Sequence, residues 1–407
     1  MPRRHDIDAL RVIAFALLIL YHCAMVYVAG WDFHIKSPLQ ADWLQWPMIV
    51  LNRWRMPLLF MISGVALGLA RVEGRRLRFA ALRSWRLLLP LAFGMFVVVA
   101  PQAFIEARGN GHWTAGWWPF LWRYWQARPW PEGSFTGSQL GVTWNHLWYL
   151  AYLWPYTLLL LVLMPALRRA GAWLAAPARG RLVGAALLLA PALWLAAVRL
   201  WVAPRYPETH ALLGDWTVHA ESLPLFLLGY LLASSTRFWQ WTERLRHWTL
   251  AAAVLAISVE LSLYWLGLHP PAGPLPPWTR HVPWDTVERI ARGMYTWAAL
   301  LAIFGWGRAL LDRPFRWLPY SSEAVFSWYI LHQTLIIVLA YWLIPLHLGP
   351  LAEPALVVGG TVAGCLLLHE AVIRRVPVLR PLFGLKGLPR RAASIPAPAR
   401  APAPVQP

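Results

Sequence analysis

Acidic residues, lysine and cysteine are all scarce in this chain of 407 residues. Asp and Glu total 18 against 37 Lys and Arg, and the only lysines are Lys36 and Lys386. Charged residues make up 14% and apolar ones 58%, which leaves too little polar material to cover a soluble domain. The two cysteines, Cys23 and Cys365, both sit inside apolar runs. They build neither a disulfide framework nor a metal site, and they leave the redox compartment open. No P-loop, GxSxG, HExxH or CxxC stands in a usable context, so neither metal nor redox ligands are assembled. No small-residue cleavage site follows the first apolar run, which therefore reads as a retained signal anchor. A transporter-type internal repeat is missing too.

Arginine and long apolar runs are abundant. The net charge of +19 raises nucleic acid as a partner, but the arginines lie between apolar runs and not in one patch, which excludes it. Runs long enough to cross about 30 Å of hydrocarbon fall near residues 9–28, 48–70, 87–104, 146–165, 182–203, 217–234, 248–268, 289–311, 323–344 and 355–373. Alternate connections carry the arginines: Arg3 and Arg4; Arg71 to Arg86; Arg168 to Arg181; Arg237 to Arg246; Arg308 to Arg316; Arg374 to Arg380. The expected fold is thus an all-α integral membrane bundle of about ten helices with both termini cytoplasmic. Its transmembrane domain covers 1–380, and residues 381–407 form a disordered, cytoplasmic Ala/Pro-rich tail.

The 29 Trp and 13 Tyr suit interfacial belts in the lipid bilayer. Seven aromatics crowd an outer loop from about 105 to 145, where Trp117 to Gln126 is expected to form a short interfacial helix. Their faces suit either that belt or stacking on sugar rings. A second outer loop, His269 to Asp285, is Pro-rich and expected to be irregular. Arg, Ala and Pro usage points to a GC-rich bacterial genome.

Ionisable residues at membrane depth are the candidates for chemistry, because a charge in hydrocarbon costs at least about 2.5 kcal/mol. Arg11 and His22, eleven residues apart, fall on one helical face about 16 Å apart, with Phe15 and Leu18 between them. Asp8 is three residues from Arg11, the spacing of a helical ion pair. A neutral imidazole such as His22 can take a proton from an attacking hydroxyl near pH 7, and Arg11 can hold an anion, tie Asp8 or snorkel. In the second run Arg55 can pair with an acid or bind an acceptor, while Ser63 and Gly64 allow helices to approach closely. Arg83 and Arg86 share a face at the inner end of the third run, a fork for phosphate or an ordinary anchor. His146 opens the fourth run at the outer boundary; Tyr329, His332 and Gln333 lie in the ninth. Glu260 falls mid-helix without an evident partner, and His369 and Glu370 are expected at the interface.

These residues resemble the acyltransferase-3 family of membrane proteins over about residues 5 to 375. The resemblance rests on Arg11 and His22, LLFMISG with Ser63 and Gly64, the RxxR of Arg83 and Arg86, HLWYL from His146, and WYILHQ from Trp328 to Gln333. NRWRMPLLFMISG, HLWYL and YILHQ are similar to the branch that includes the glucans biosynthesis protein C. The resemblance implies a ten-helix bacterial inner-membrane enzyme moving an acyl group, acetyl or succinyl, from cytoplasmic acyl-CoA to a hydroxyl of an extracytoplasmic glycan. Acyl-CoA is then a donor substrate, and no bound cofactor is expected. His22 would be the catalytic general base with Arg11 its partner, and Arg83 and Arg86 would meet the donor's phosphates. His146, Tyr329, His332 and Ser63 would border the substrates. A succinyl group would add an anion suited to Arg55. The alternative is a proton-coupled exporter of a sugar or lipid with His22, Glu260 and His332 as a relay.

Overall fold

Backbone groups in hydrocarbon must be bonded within their own segment, so each long apolar run closes into a helix. The computed structural model describes residues 4–70, 75–175, 180–270, 273 and 282–387. Arg3, Arg71, Arg179, Arg280 and the tail from 388 onward lie outside them. The described chain runs α1 (His5–Met25), α2 (Gln45–Leu69), α3 (Arg76–Phe93), α4 (Ala100–Gly109), α5 (Trp117–Trp125), α6 (Trp148–Ala175) and α7 (Gly180–Ala197). It continues through α8 (Trp216–Leu232), α9 (Thr236–Arg244), α10 (Arg246–Leu268), α11 (Trp284–Leu311), α12 (Leu318–Leu343), α13 (Gly349–Leu367) and the short α14 (Leu379–Leu382). Among the described residues no strand forms, and one isolated bridge pairs Val28 with Ala41.

Eight helical segments of the described chain are long and apolar enough to cross a membrane. The two remaining expected runs are helical as well, as α2 and the 17-residue α8. Those two pack backbone to backbone. A Cβ on Gly64 would stand 1.9 Å from the Phe226 carbonyl oxygen, and one on Gly229 2.2 Å from that of Met61. This is the small-residue contact that Gly64 suggested. Burial separates inner from outer helices. In the most apolar stretch of α11, 56% of residues are buried within the protein, against 17% in α10, so α10 lies at the periphery of the described bundle.

Two local features place the site. Pro90 is followed by a wide, π-helical stretch, Gly94–Val98, which joins α3 to α4. The helical segment therefore reaches Gly109, beyond the end expected at 104, and the connection after it starts later. Beyond α1, the Lys36 ammonium donates to the carbonyls of Met25 (2.9 Å) and Val28, satisfying helix-end oxygens. Ser37 donates to Glu353 at 2.7 Å and Gln45 to the Ala29 carbonyl at 3.0 Å. The α1–α2 connection is thereby folded back over the helix ends, carrying Phe33 and His34 with it.

The expected helix at Trp117 is present as α5. Phe120, Tyr124, Trp130 and Phe135 are buried with Ala100, Ala103 and Ala107 of α4, while Trp118 and Trp122 are exposed. The outer-loop aromatics therefore divide between a small packed core and a free surface.

Candidate functional site

His22 of α1 and His332 of α12 meet edge to edge, with 2.8 Å between His22 Nδ1 and His332 Nε2 and the two ring planes within 16° of each other. The other nitrogen of His332 fixes the tautomer. Its Nδ1 lies 2.8 Å from the Tyr329 carbonyl and 3.1 Å from that of Trp328, and carbonyls only accept. The His332 proton is therefore on Nδ1, and its bare Nε2 accepts from His22 Nδ1–H. In the neutral pair this leaves His22 Nε2 as a lone pair without a partner among the described residues, on a ring that lines a cavity of about 730 Å³.

His146 completes the group. It is 6% exposed, its ring enclosed by protein. Its Nε2–H donates to the Ile330 carbonyl at 3.1 Å, and its ring stands edge-on to His332 at 5.0 Å. Asn145, just before it, holds φ +40°, a left-handed backbone that costs on the order of 1–3 kcal/mol. Its amide donates to Gln102 Oε1 at 2.9 Å, and Thr143 donates to its Oδ1 at 2.8 Å, which offsets that strain. Tyr329 donates to the His146 carbonyl at 2.6 Å, so α12 also fixes the entry to α6.

Sequence reasoning missed another imidazole on the cavity wall, that of His34. His34 Nδ1–H donates to Glu106 Oε2 at 2.5 Å, while the Thr136 N–H and hydroxyl hold Glu106 Oε1, both at 2.9 Å. Gln333 donates to His34 Nε2 at 3.0 Å and to Gln102 Oε1 at 3.1 Å, linking this pair to the His146 network. Gln102 and Glu106 are one turn apart on α4 and face the same way. That spacing was the available signal. It lay beyond the point where the apolar run seemed to end.

Charged groups line the rest of the wall. Arg53 meets Glu260 at 2.6 Å, which supplies the partner Glu260 needed. The relay expected of His22, Glu260 and His332 is thus joined only between the imidazoles, since Glu260 is held by Arg53. Arg199 bridges Glu208 and Glu221, each at 2.5 Å, and Arg292 reaches Glu208 at 3.1 Å. Burial alone would raise the Glu208 carboxyl, but Arg199 and Arg292 outweigh it and hold the group down to about 2. Arg55 lies over the Tyr21 ring at 3.7 Å and also lines the cavity.

The other candidates gather elsewhere. Arg11 pairs with Asp8 at 3.4 Å, as the spacing suggested. Ser63 is bonded to the Tyr149 hydroxyl at 2.5 Å, and both Arg11 and Arg83 act electrostatically on that hydroxyl. Arg83 is largely enclosed, with its Nε unpartnered, whereas Arg86 is exposed, so the two do not form one buried fork. None of Arg11, Ser63, Arg83 or Arg86 lines the cavity. Buried rings intervene: Phe15 packs on Tyr329 at 5.2 Å, and Tyr329 on Tyr149 at 6.3 Å. His369 is fully buried and bonded to Ser327 at 2.7 Å.

Residues 4–370 match the Acyltransferase domain family Acyl_transf_3. The chain belongs to this acyltransferase family. Both histidines of the bonded pair and all four arginines of the cavity wall fall inside the matched span. No curated protein and no solved structure matches the chain. Family and apolar helices together make it a multi-pass membrane acyltransferase, which requires an acyl donor and a hydroxyl acceptor.

Proposed function

We propose that the chain transfers an acyl group from cytoplasmic acyl-CoA to a hydroxyl of an extracytoplasmic glycan, with His22 as general base. The observation that carries this reading is the bare Nε2 of His22, held in one tautomer by His332, on a ring that lines a cavity with charged side chains in its wall. His22 Nε2 takes the acceptor's hydroxyl proton as the oxygen adds to the thioester carbonyl. The tetrahedral species then collapses by breaking the C–S bond. The thiolate recovers the proton from His22, leaving an ester, free CoA thiol and the starting imidazole. His332 orients the ring and His146 braces His332, as second residues do for a catalytic imidazole.

On this reading the donor's phosphates lie at the Arg11, Arg83 and Arg86 end, and Ser63 and Tyr149 border the arm's path. The arm reaches His22 once Phe15, Tyr149 and Tyr329 move aside. Ten membrane crossings, cytoplasmic termini, a bacterial inner membrane and a glucan acceptor of the glucans biosynthesis protein C branch belong to the same proposal, as does the lack of a bound cofactor. The test is transfer of label from acyl-CoA to envelope glycans in membranes holding wild-type or His22→Ala protein at equal levels. Abolished transfer is expected, and retained glycan labelling removes the assignment of His22.

A further inference from the structure

Four arginines line the cavity, and three of them have carboxylate partners. Arg53 is paired with Glu260, Arg199 with Glu208 and Glu221, and Arg292 with Glu208. Arg55 bridges no carboxylate among the described residues. It is 6% exposed, and its Nε and Nη1 have no hydrogen-bond partner. The sequence allowed Arg55 either to pair with an acid or to bind a ligand, and the structure removes the first alternative within the described chain. Its evident support is Tyr21, whose ring face lies 3.7 Å below the guanidinium and whose hydroxyl also bonds to it. A ring face and a neutral hydroxyl attract a cation more weakly than a carboxylate does, and they leave Nε and Nη1 of Arg55 unsatisfied. A buried charge without a hydrogen-bonded counter-ion is a standing cost that a ligand anion removes.

The position of Arg55 narrows what that ligand is. Arg55 and His22 line the same cavity, and the Tyr21 ring under the guanidinium immediately precedes His22 on α1. An anion held there therefore lies beside the imidazole that faces the cavity. The planar guanidinium fork suits two carboxylate oxygens.

We infer that Arg55 forms a subsite for a carboxylate borne by one of the two substrates, close to the acyl carbon being transferred. This rests on the acyltransferase reading above. The same chemistry has two sources: an acyl group ending in a free carboxylate, or an acceptor that is a sugar acid.

Both are separated with the purified full-length protein in lipid nanodiscs, comparing wild type, Arg55→Gln and Arg55→Lys. The donor arm compares succinyl-CoA with butyryl-CoA, which match in chain length and differ in the carboxylate. The acceptor arm compares methyl glucuronide with methyl glucoside. One arm is expected to lose its preference for the carboxylated substrate, as a ratio of kcat/KM, by about 10- to 100-fold in Arg55→Gln, with Arg55→Lys in between. The arm that responds names the source. Ratios unchanged in both arms overturn the subsite while leaving the acyltransferase reading intact. Wild-type protein that transfers nothing overturns that reading instead, and the subsite is then judged by binding alone. There, and where Arg55→Gln fails to fold, succinate but not butyrate is expected to raise the melting temperature of wild-type protein; no difference between the two refutes the subsite.

Discussion

His332 gives the sharpest prediction, because one hydrogen bond ties it to the His22 ring that lines the cavity. His332→Ala removes the acceptor of His22 Nδ1–H, a bond of 2.8 Å inside the bundle. A buried donor left without a partner costs about 1–3 kcal/mol. The His22 ring avoids that cost by rotating or by shifting its proton to Nε2, and either change takes the lone pair from the cavity. The reactive form then falls roughly 10- to 100-fold in population, since about 1.4 kcal/mol is a factor of ten. kcat is expected to fall by that factor, with KM for the donor little changed, because His332 reaches substrate only through His22. His332→Gln is the internal control. A Gln amide oxygen occupies about the place of His Nε2 and can accept the same proton, so this variant is expected to recover much of the loss. Initial rates of label transfer in nanodiscs measure both. Activity of His332→Ala within about threefold of wild type, or His332→Gln as impaired as His332→Ala, refutes the tautomer argument.

Further outcomes follow from other contacts. Glu260→Gln leaves Arg53 with a neutral partner in a buried setting and is expected to destabilise by about 3–5 kcal/mol, read as a fall in melting temperature in detergent. Gly64→Ala places a Cβ 1.9 Å from a backbone oxygen of α8, so the helices must part; a loss of about 1–3 kcal/mol or poor membrane accumulation is expected. Because the carboxyl of Glu208 is held down to about 2, its contribution is fully present above the ordinary carboxylate range and is lost as pH falls towards that value. The stability difference between wild type and Glu208→Gln should thus be flat from about pH 7 to 5 and shrink below about 4.

Helix existence was legible in the sequence because hydrocarbon permits little else, and the ten apolar runs all became helices. The Asp8–Arg11 pair was legible because its partners are three residues apart on one helix. His22 and His332 were each singled out, but their contact was not. They stand 310 residues apart, and no local period reports which helices are neighbours. His34 was hidden for a related reason. Its place depends on Lys36, Ser37 and Gln45 reaching back to helix ends and to Glu353, tertiary ties that an outer loop does not announce. Glu106 was missed because the wide turn after Pro90 lets the helical segment run on past its apolar stretch.

The three rings of Phe15, Tyr149 and Tyr329 bear on membrane voltage. On the proposed reading, with water filling the cavity as far as His22, most of the potential drop falls across the protein beyond it, where these rings lie. A proton passing between His22 and the cavity then feels little of that drop. A charge crossing the rings feels most of the roughly 2.3 kcal/mol per 100 mV available. Turnover becomes sensitive to membrane polarisation only in a step that carries net charge through that region.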